Sequence, residues 1–176
     1  MNCISEEIEQ LRETYGKKVM VVSSGVLGLG RKARLSMGER IPESEKNSIE
    51  QKIEDARIGQ PIWYMLWEHH MYPHRTEKSL VVNDDLRNYQ KNDNLFRKWA
   101  SLLGAGIIPI VNEDDLKSQE EIITEIQGQR LFSDNDVLSG LIAKRLPDYL
   151  PQQSNKILLA MLTNTNGVYT AESIRT

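Results

Sequence analysis

Cysteine is almost missing from this chain. Its 176 residues include one, Cys3, so no intramolecular disulfide can form. That usage suits a reducing compartment, and a cytoplasmic location is the expectation. A surplus of basic charge is missing as well. The net charge is -3 at pH 7, which argues against a nucleic-acid partner, because such proteins show a basic face. Long apolar runs are also lacking. The longest, Ile157 to Leu162, falls far short of the roughly 20 residues a membrane span needs, so no membrane partner is expected. The opening MNCISEEIEQ carries acids where a signal peptide needs a basic and then an apolar stretch.

What is present is ordinary for one globular domain. The hydrophobic fraction is 39% and the charged fraction 27%. Ile8, Leu11 and Tyr15 follow helical spacing, with Gly16 as a stop. KVMVVSS is a continuous β-branched run and predicts a strand over 18–23, buried on both faces. A helix resumes after Gly25 and breaks at RIPES. A polar helix then runs to Ile58, GQP at 59–61 punctuates, and another helix passes through Trp63, Leu66 and Trp67. Further strands are predicted over 79–83, 107–112 and 156–162. Helices are predicted on Phe96, Trp99, Leu102 and Leu103, and on Leu138, Leu141, Ile142 and Leu146. Strands alternate with helices, so the expected class is α/β with a mostly parallel sheet.

Ligands of open α/β sheets bind beyond the carboxyl ends of the strands. Three polar clusters fall there: Ser23-Ser24-Gly25, Asn112-Glu113-Asp114-Asp115, and Thr163-Asn164. The triplet Asp134-Asn135-Asp136 opens a helix, where backbone N–H groups favour anions. One cap would suffice for that helix, so three polar side chains raise the question of a second duty. Turn and cap chemistry explains each cluster singly. Their joint placement at strand ends favours one shared crevice.

Other patterns carry less. GLGRKA at 28–33 matches the dinucleotide fingerprint, but Gly28 lies several residues past its strand and no acid-ended second strand follows. Close backbone approach to a ligand or neighbouring element is the preferred use of Gly25, Gly28 and Gly30. His70 and His74 have metal-ligand spacing, but Pro73 breaks the helix that spacing requires. Solvated histidines at a helix end are preferred, and no metal ligands are assigned. Trp63, Trp67 and Trp99 read as core or subunit-interface packing. Ser23 or Ser24 as a hydrolase nucleophile lacks the G-x-S-x-G elbow and an evident histidine base.

KKVMVVSSGVLGLGR, GQP…MLWEHH, GIIPIVNEDD, FSDNDVLSGLIA and LTNTNGVYTAE occur in this order over nearly the whole chain. Taken together they resemble the amino-acid kinase family, and within it the glutamate 5-kinase branch. The resemblance implies a three-layer α/β sandwich with a mostly parallel central sheet, which transfers the γ-phosphoryl of MgATP to the γ-carboxylate of L-glutamate in proline biosynthesis. By position, Ser24, Gly25, Asp115 and Asn135 resemble the glutamate-binding residues. Asp136 resembles the aspartate that organises the catalytic lysines, and Thr163 and Asn164 the start of the nucleotide site. ATP, Mg²⁺ and a homo-oligomer are implied in the same way. The family pattern also has a lysine-bearing first strand and a glycine-rich, lysine-bearing loop that covers ATP. Neither occurs in these 176 residues, so residues 1–176 are expected to be a partial domain, mainly the amino-acid half, with little turnover of its own. Smaller departures are Ser133 for glycine, Val137 for asparagine and Asn164 for aspartate. A different amino-acid kinase, or a non-catalytic module that binds glutamate or proline or dimerises, stays open as an alternative.

Overall fold

A computed structural model describes residues 2–46, 48–82, 85–86, 89–117, 135–151 and 156–162. Helix α1 spans Asn2–Glu13, strand β1 Val21–Val22, α2 Val26–Ser36 and α3 Ile49–Met71. Strand β2 spans Thr76–Val81, α4 Tyr89–Gly104, β3 Ile108–Glu113 and α5 Asn135–Arg145, followed by a 3₁₀ turn at Leu146–Tyr149. The described strands form one sheet in the order β1-β3-β2, with both pairings parallel.

The central strand divides the core. All six residues of β3 are buried, as expected for a strand covered on both faces. Its side chains alternate. Val111 joins Phe96, Trp99, Leu103, Leu138 and Ile142, so α4 and α5 cover one face. Ile108 and Ile110 join Ile8, Val26, Ala56, Trp63 and Trp67, so α1, α2 and α3 cover the other. The result is the expected three-layer α/β sandwich. All three tryptophans are core residues.

Three expectations need correction. The first is the predicted fourth strand. Residues 156–162 form no strand, and Leu158 is 90% exposed and Leu162 74%. An apolar, β-branched stretch signals a taste for burial, but a strand also needs a partner for its backbone groups, and among the described residues none pairs with this segment. Secondly, β1 is shorter than 18–23. Among the described strands it lies at the edge of the sheet, although Ser23 N still donates to Val111 O at 2.9 Å. Thirdly, GQP does not end a helix. α3 runs straight through Pro61. The lost N–H would have bonded to the carbonyl of Arg57, and both residues face solvent, where water can replace the bond.

Glycine permits the close packing of α2 on α3. A Cβ on Gly30 would lie 1.8 Å from Asp55 O, and one on Gly59 would lie 2.0 Å from Val26 O. Residues 28–33, whose match to the dinucleotide fingerprint is set aside, are therefore interior helix, and Gly30 serves the expected contact with a neighbouring element. Beside it lies a buried charge cluster. Asp55 accepts from Arg31 Nε at 2.8 Å and from Arg34 Nη1 at 2.9 Å. Arg34 also donates to Glu39 and to Gln51 Oε1.

Candidate functional site

The carboxyl ends of β1 and β3 open onto a cleft of about 310 Å³, at the small end of ligand pockets. Ser24, Gly25 and the first turn of α2 form one lip. Asn112, Glu113 and Asp115 form the second, and Asn135 and Asp136 close the cleft from the start of α5. Ser24, Gly25, Asp115, Asn135 and Asp136 are thus brought together. Thr163, Asn164 and Asp134 lie outside the described residues.

The first lip is built on a helix N-terminus. Gly25 is the N-cap of α2 with φ 110°, a left-handed conformation that favours glycine. It has no side chain to cap the helix, and the first intrahelical bond closes only at Leu29 N to Gly25 O, 3.0 Å. The amides of the first turn therefore face the cleft without a side-chain acceptor, and the helix dipole adds partial positive charge. The Ser24 hydroxyl lies beside them as a further donor.

The second lip is acidic and held by amides. Asn135 Nδ2 donates to Asn112 Oδ1 at 2.8 Å, and Asn135 Oδ1 accepts from Glu113 N at 3.1 Å. Asn112 Nδ2 in turn donates to Asp115 Oδ2 at 3.3 Å. This chain ties α5 to the end of β3 and aims Asp115. Asn135 was expected to donate to substrate, and much of its capacity goes into this brace; its amide nitrogen carries a second proton. Asp136 is exposed at the rim. Among the described residues the cleft has no lysine or arginine in its lining.

The three-residue question over 134–136 is answered for two of them: Asn135 braces the second lip, and Asp136 places a carboxylate in the cleft. Asp114, read from sequence only as part of an acidic cluster, is buried and accepts from Lys117 N at 3.4 Å, capping the helical turn that begins at Asp115. The sequence reading missed the support that two residues give the lips. Gln60 Nε2 donates to Asp114 Oδ1 at 3.1 Å, and Trp63 Nε1 donates to Ser23 Oγ at 3.3 Å. Both sit on α3, and no local signal marks contacts that distant in sequence.

A second hollow, of about 490 Å³, lies at the opposite ends of the strands and includes His69, His74 and Arg75. His74 is part-buried rather than solvated. Among the described residues no three histidine, cysteine or acidic groups gather as a metal site.

The profile of the Amino acid kinase family matches residues 1–175. A glutamate 5-kinase of Caulobacter vibrioides is 32% identical over 159 residues, covering 89% of this chain and 36% of that protein. One from Clostridium perfringens is 31% identical, covering 89% and 52%, and one from Geobacter sulfurreducens 32% identical, covering 97% and 40%. The chain thus spans about a third to a half of the curated relatives it matches. The sheet with helices on both faces, the cleft at its carboxyl edge and the match along residues 1–175 agree: this chain belongs to the amino acid kinase family.

Proposed function

We propose that the cleft is the L-glutamate site of a glutamate 5-kinase. The observation that carries this is the polarity of its two lips. A bare helix N-terminus with a serine faces a carboxylate wall, which complements a zwitterionic amino acid with an additional carboxylate. Asp115 accepts from the substrate ammonium. Ser24 and the amides of the first α2 turn hold a carboxylate, and the second Asn135 amide proton is directed to the substrate. Names of the relatives support glutamate as that amino acid.

The described residues fit the amino-acid side of the reaction and not the phosphate side. No cation lines the cleft, and the carboxylates form no metal cage among the described residues. Mg²⁺ that travels on nucleotide phosphates needs few protein ligands, in keeping with this donor set. In the proposed reaction MgATP supplies the phosphoryl group to a γ-carboxylate oxygen. The residues here bind and orient the acceptor, a contribution that phosphoryl transfer relies on heavily. Asp136, at the rim, is proposed to order cationic groups around the transferring phosphoryl.

Titration of ¹⁵N-labelled protein with L-glutamate tests the site. Saturable shifts at Ser24, Gly25, Asp115 and Asn135, lost in Asp115→Asn, are expected. The shifts should weaken with L-glutamine if the side-chain carboxylate is read. No saturable change at those residues would overturn the assignment. A hydroxamate assay with glutamate and MgATP should show little turnover from these 176 residues, because charge developing on the phosphoryl oxygens meets no lysine in the described cleft.

A further inference from the structure

Neither Gln60 nor Trp63 lines the cleft, yet each holds one of its lips. They lie on the same buried face of α3, with Gly59. Trp63 Nε1 donates to Ser23 Oγ at 3.3 Å, and Ser23 Oγ donates to Ser24 O at 3.1 Å, so the indole reaches the anion lip through one hydroxyl. Gly59 lets Val26 O approach the α3 backbone, which seats the first residue of α2 on the same helix. Gln60 reaches the other lip. Its amide holds Asp114 Oδ1 at 3.1 Å, and that carboxylate caps the turn carrying Asp115. Asp114 N is fixed independently by Val81 O at 2.9 Å.

Trp63 is core in its own right, but packing alone does not call for the amide of Gln60. A glutamine 8% exposed on a helix face that is otherwise core buries a primary amide, and such burial is costly without a partner. A leucine or methionine would fill the same space without that requirement. The amide spans 54 positions in sequence to meet a carboxylate next to Asp115.

We infer that α3 sets the separation of the two lips, with Gln60 and Trp63 as positioning residues that fix the length of amino acid the cleft accepts. One rigid helix holds the amides at Ser24–Val26 and the carboxylate at Asp115 in a single frame, whereas the connecting loops alone would let them drift. Sites held by rigid elements keep the tolerance that recognition demands. The part of this inference that concerns acid length rests on the amino-acid reading of the cleft. The part that concerns the frame does not.

Three substitutions test it: Gln60→Met, Trp63→Phe, and Ser23→Ala, which removes the indole's acceptor from a part-exposed position and spares the core. In ligand-free ¹⁵N spectra, each is expected to move amides of both lips. Gln60→Met should shift Ser24–Val26 as well as Asp114–Lys117, and Ser23→Ala should shift Asp115 as well as Ser24. With L-glutamate, Kd should rise about tenfold in Gln60→Met and Ser23→Ala while the thermal transition stays cooperative. The preference for L-glutamate over the shorter L-aspartate should shrink in both. Shifts confined to the substituted lip, with an unchanged Kd, would overturn the inference. If the parent binds no amino acid, the glutamate reading falls, and the two-lip response in ligand-free spectra decides the frame by itself.

Discussion

Asp55 shows how much one buried side chain can carry. It is fully buried between Arg31 and Arg34, and Arg34 is itself nearly buried. Removing one member of such a group leaves an uncompensated charge, which costs about 3–5 kcal/mol. Asp55→Ala is expected to lower stability by about 3 kcal/mol, the low end of that range, in chemical denaturation, because Arg34 keeps Glu39 and Gln51 as partners. Asn135 is a second case. Asn135→Ala loses a bond to Asn112 and one from Glu113 N, and Asp115 loses its aim through Asn112. We expect about 1–3 kcal/mol of destabilisation, and a loss of L-glutamate binding that exceeds it on the same energy scale. Ser24, Asp115 and Asn135 were legible in sequence because polar side chains directly after β-branched runs, or at a helix start, project where sheets bind ligands. The support given by Gln60 and Ser23 was not, since hydrogen bonds between residues 54 and 40 positions apart leave no periodic trace.

At the scale of elements, α3 is the informative case. Its sequence contains Gly59 and Pro61, which read as punctuation, yet 23 residues stay helical. Local propensity was overridden by burial: Ala56, Trp63, Trp67 and Met71 dock on the sheet, and Pro61 faces solvent. Gly59 is there for contact. Gly59→Ala would set a Cβ against Val26 O, so α2 and α3 must part; we expect roughly 3 kcal/mol lost, read as a lowered melting midpoint. Helix α4 offers a pH-dependent contact. The carboxyl of Asp93 is held below its ordinary value, chiefly by the hydrogen bond from Arg97 Nε at 2.7 Å, with Arg97 charge and Tyr149 assisting against desolvation. A lowered folded-state value stabilises the fold above the ordinary carboxylate value of about 3.9, and the benefit fades as pH falls through the folded value. The melting difference between the parent and Asp93→Asn should thus be present at about pH 6 and close by about pH 2.

For the whole molecule, the α/β class and strand β3 followed from sequence, because a parallel strand buried on both faces has a plain apolar signature, whereas β2 begins three residues before the predicted 79–83, on the polar Thr76-Glu77-Lys78. The segment 156–162 carries the same signature without pairing, since composition reports the environment a stretch suits and a ladder depends on what lies beside it. Strand β3 has another consequence. It is the one described strand with a neighbour on each side, and its side chains enter both halves of the core. Opening of either half alone leaves β3 sheltered by the other. Its backbone amides should therefore exchange with deuterium only when the entire domain opens, whereas the edge at Val21–Val22 exchanges through smaller fluctuations. Protection at Ile110, Val111 and Asn112 would then report the global unfolding free energy. Faster exchange there than in α4 would show that the halves come apart separately.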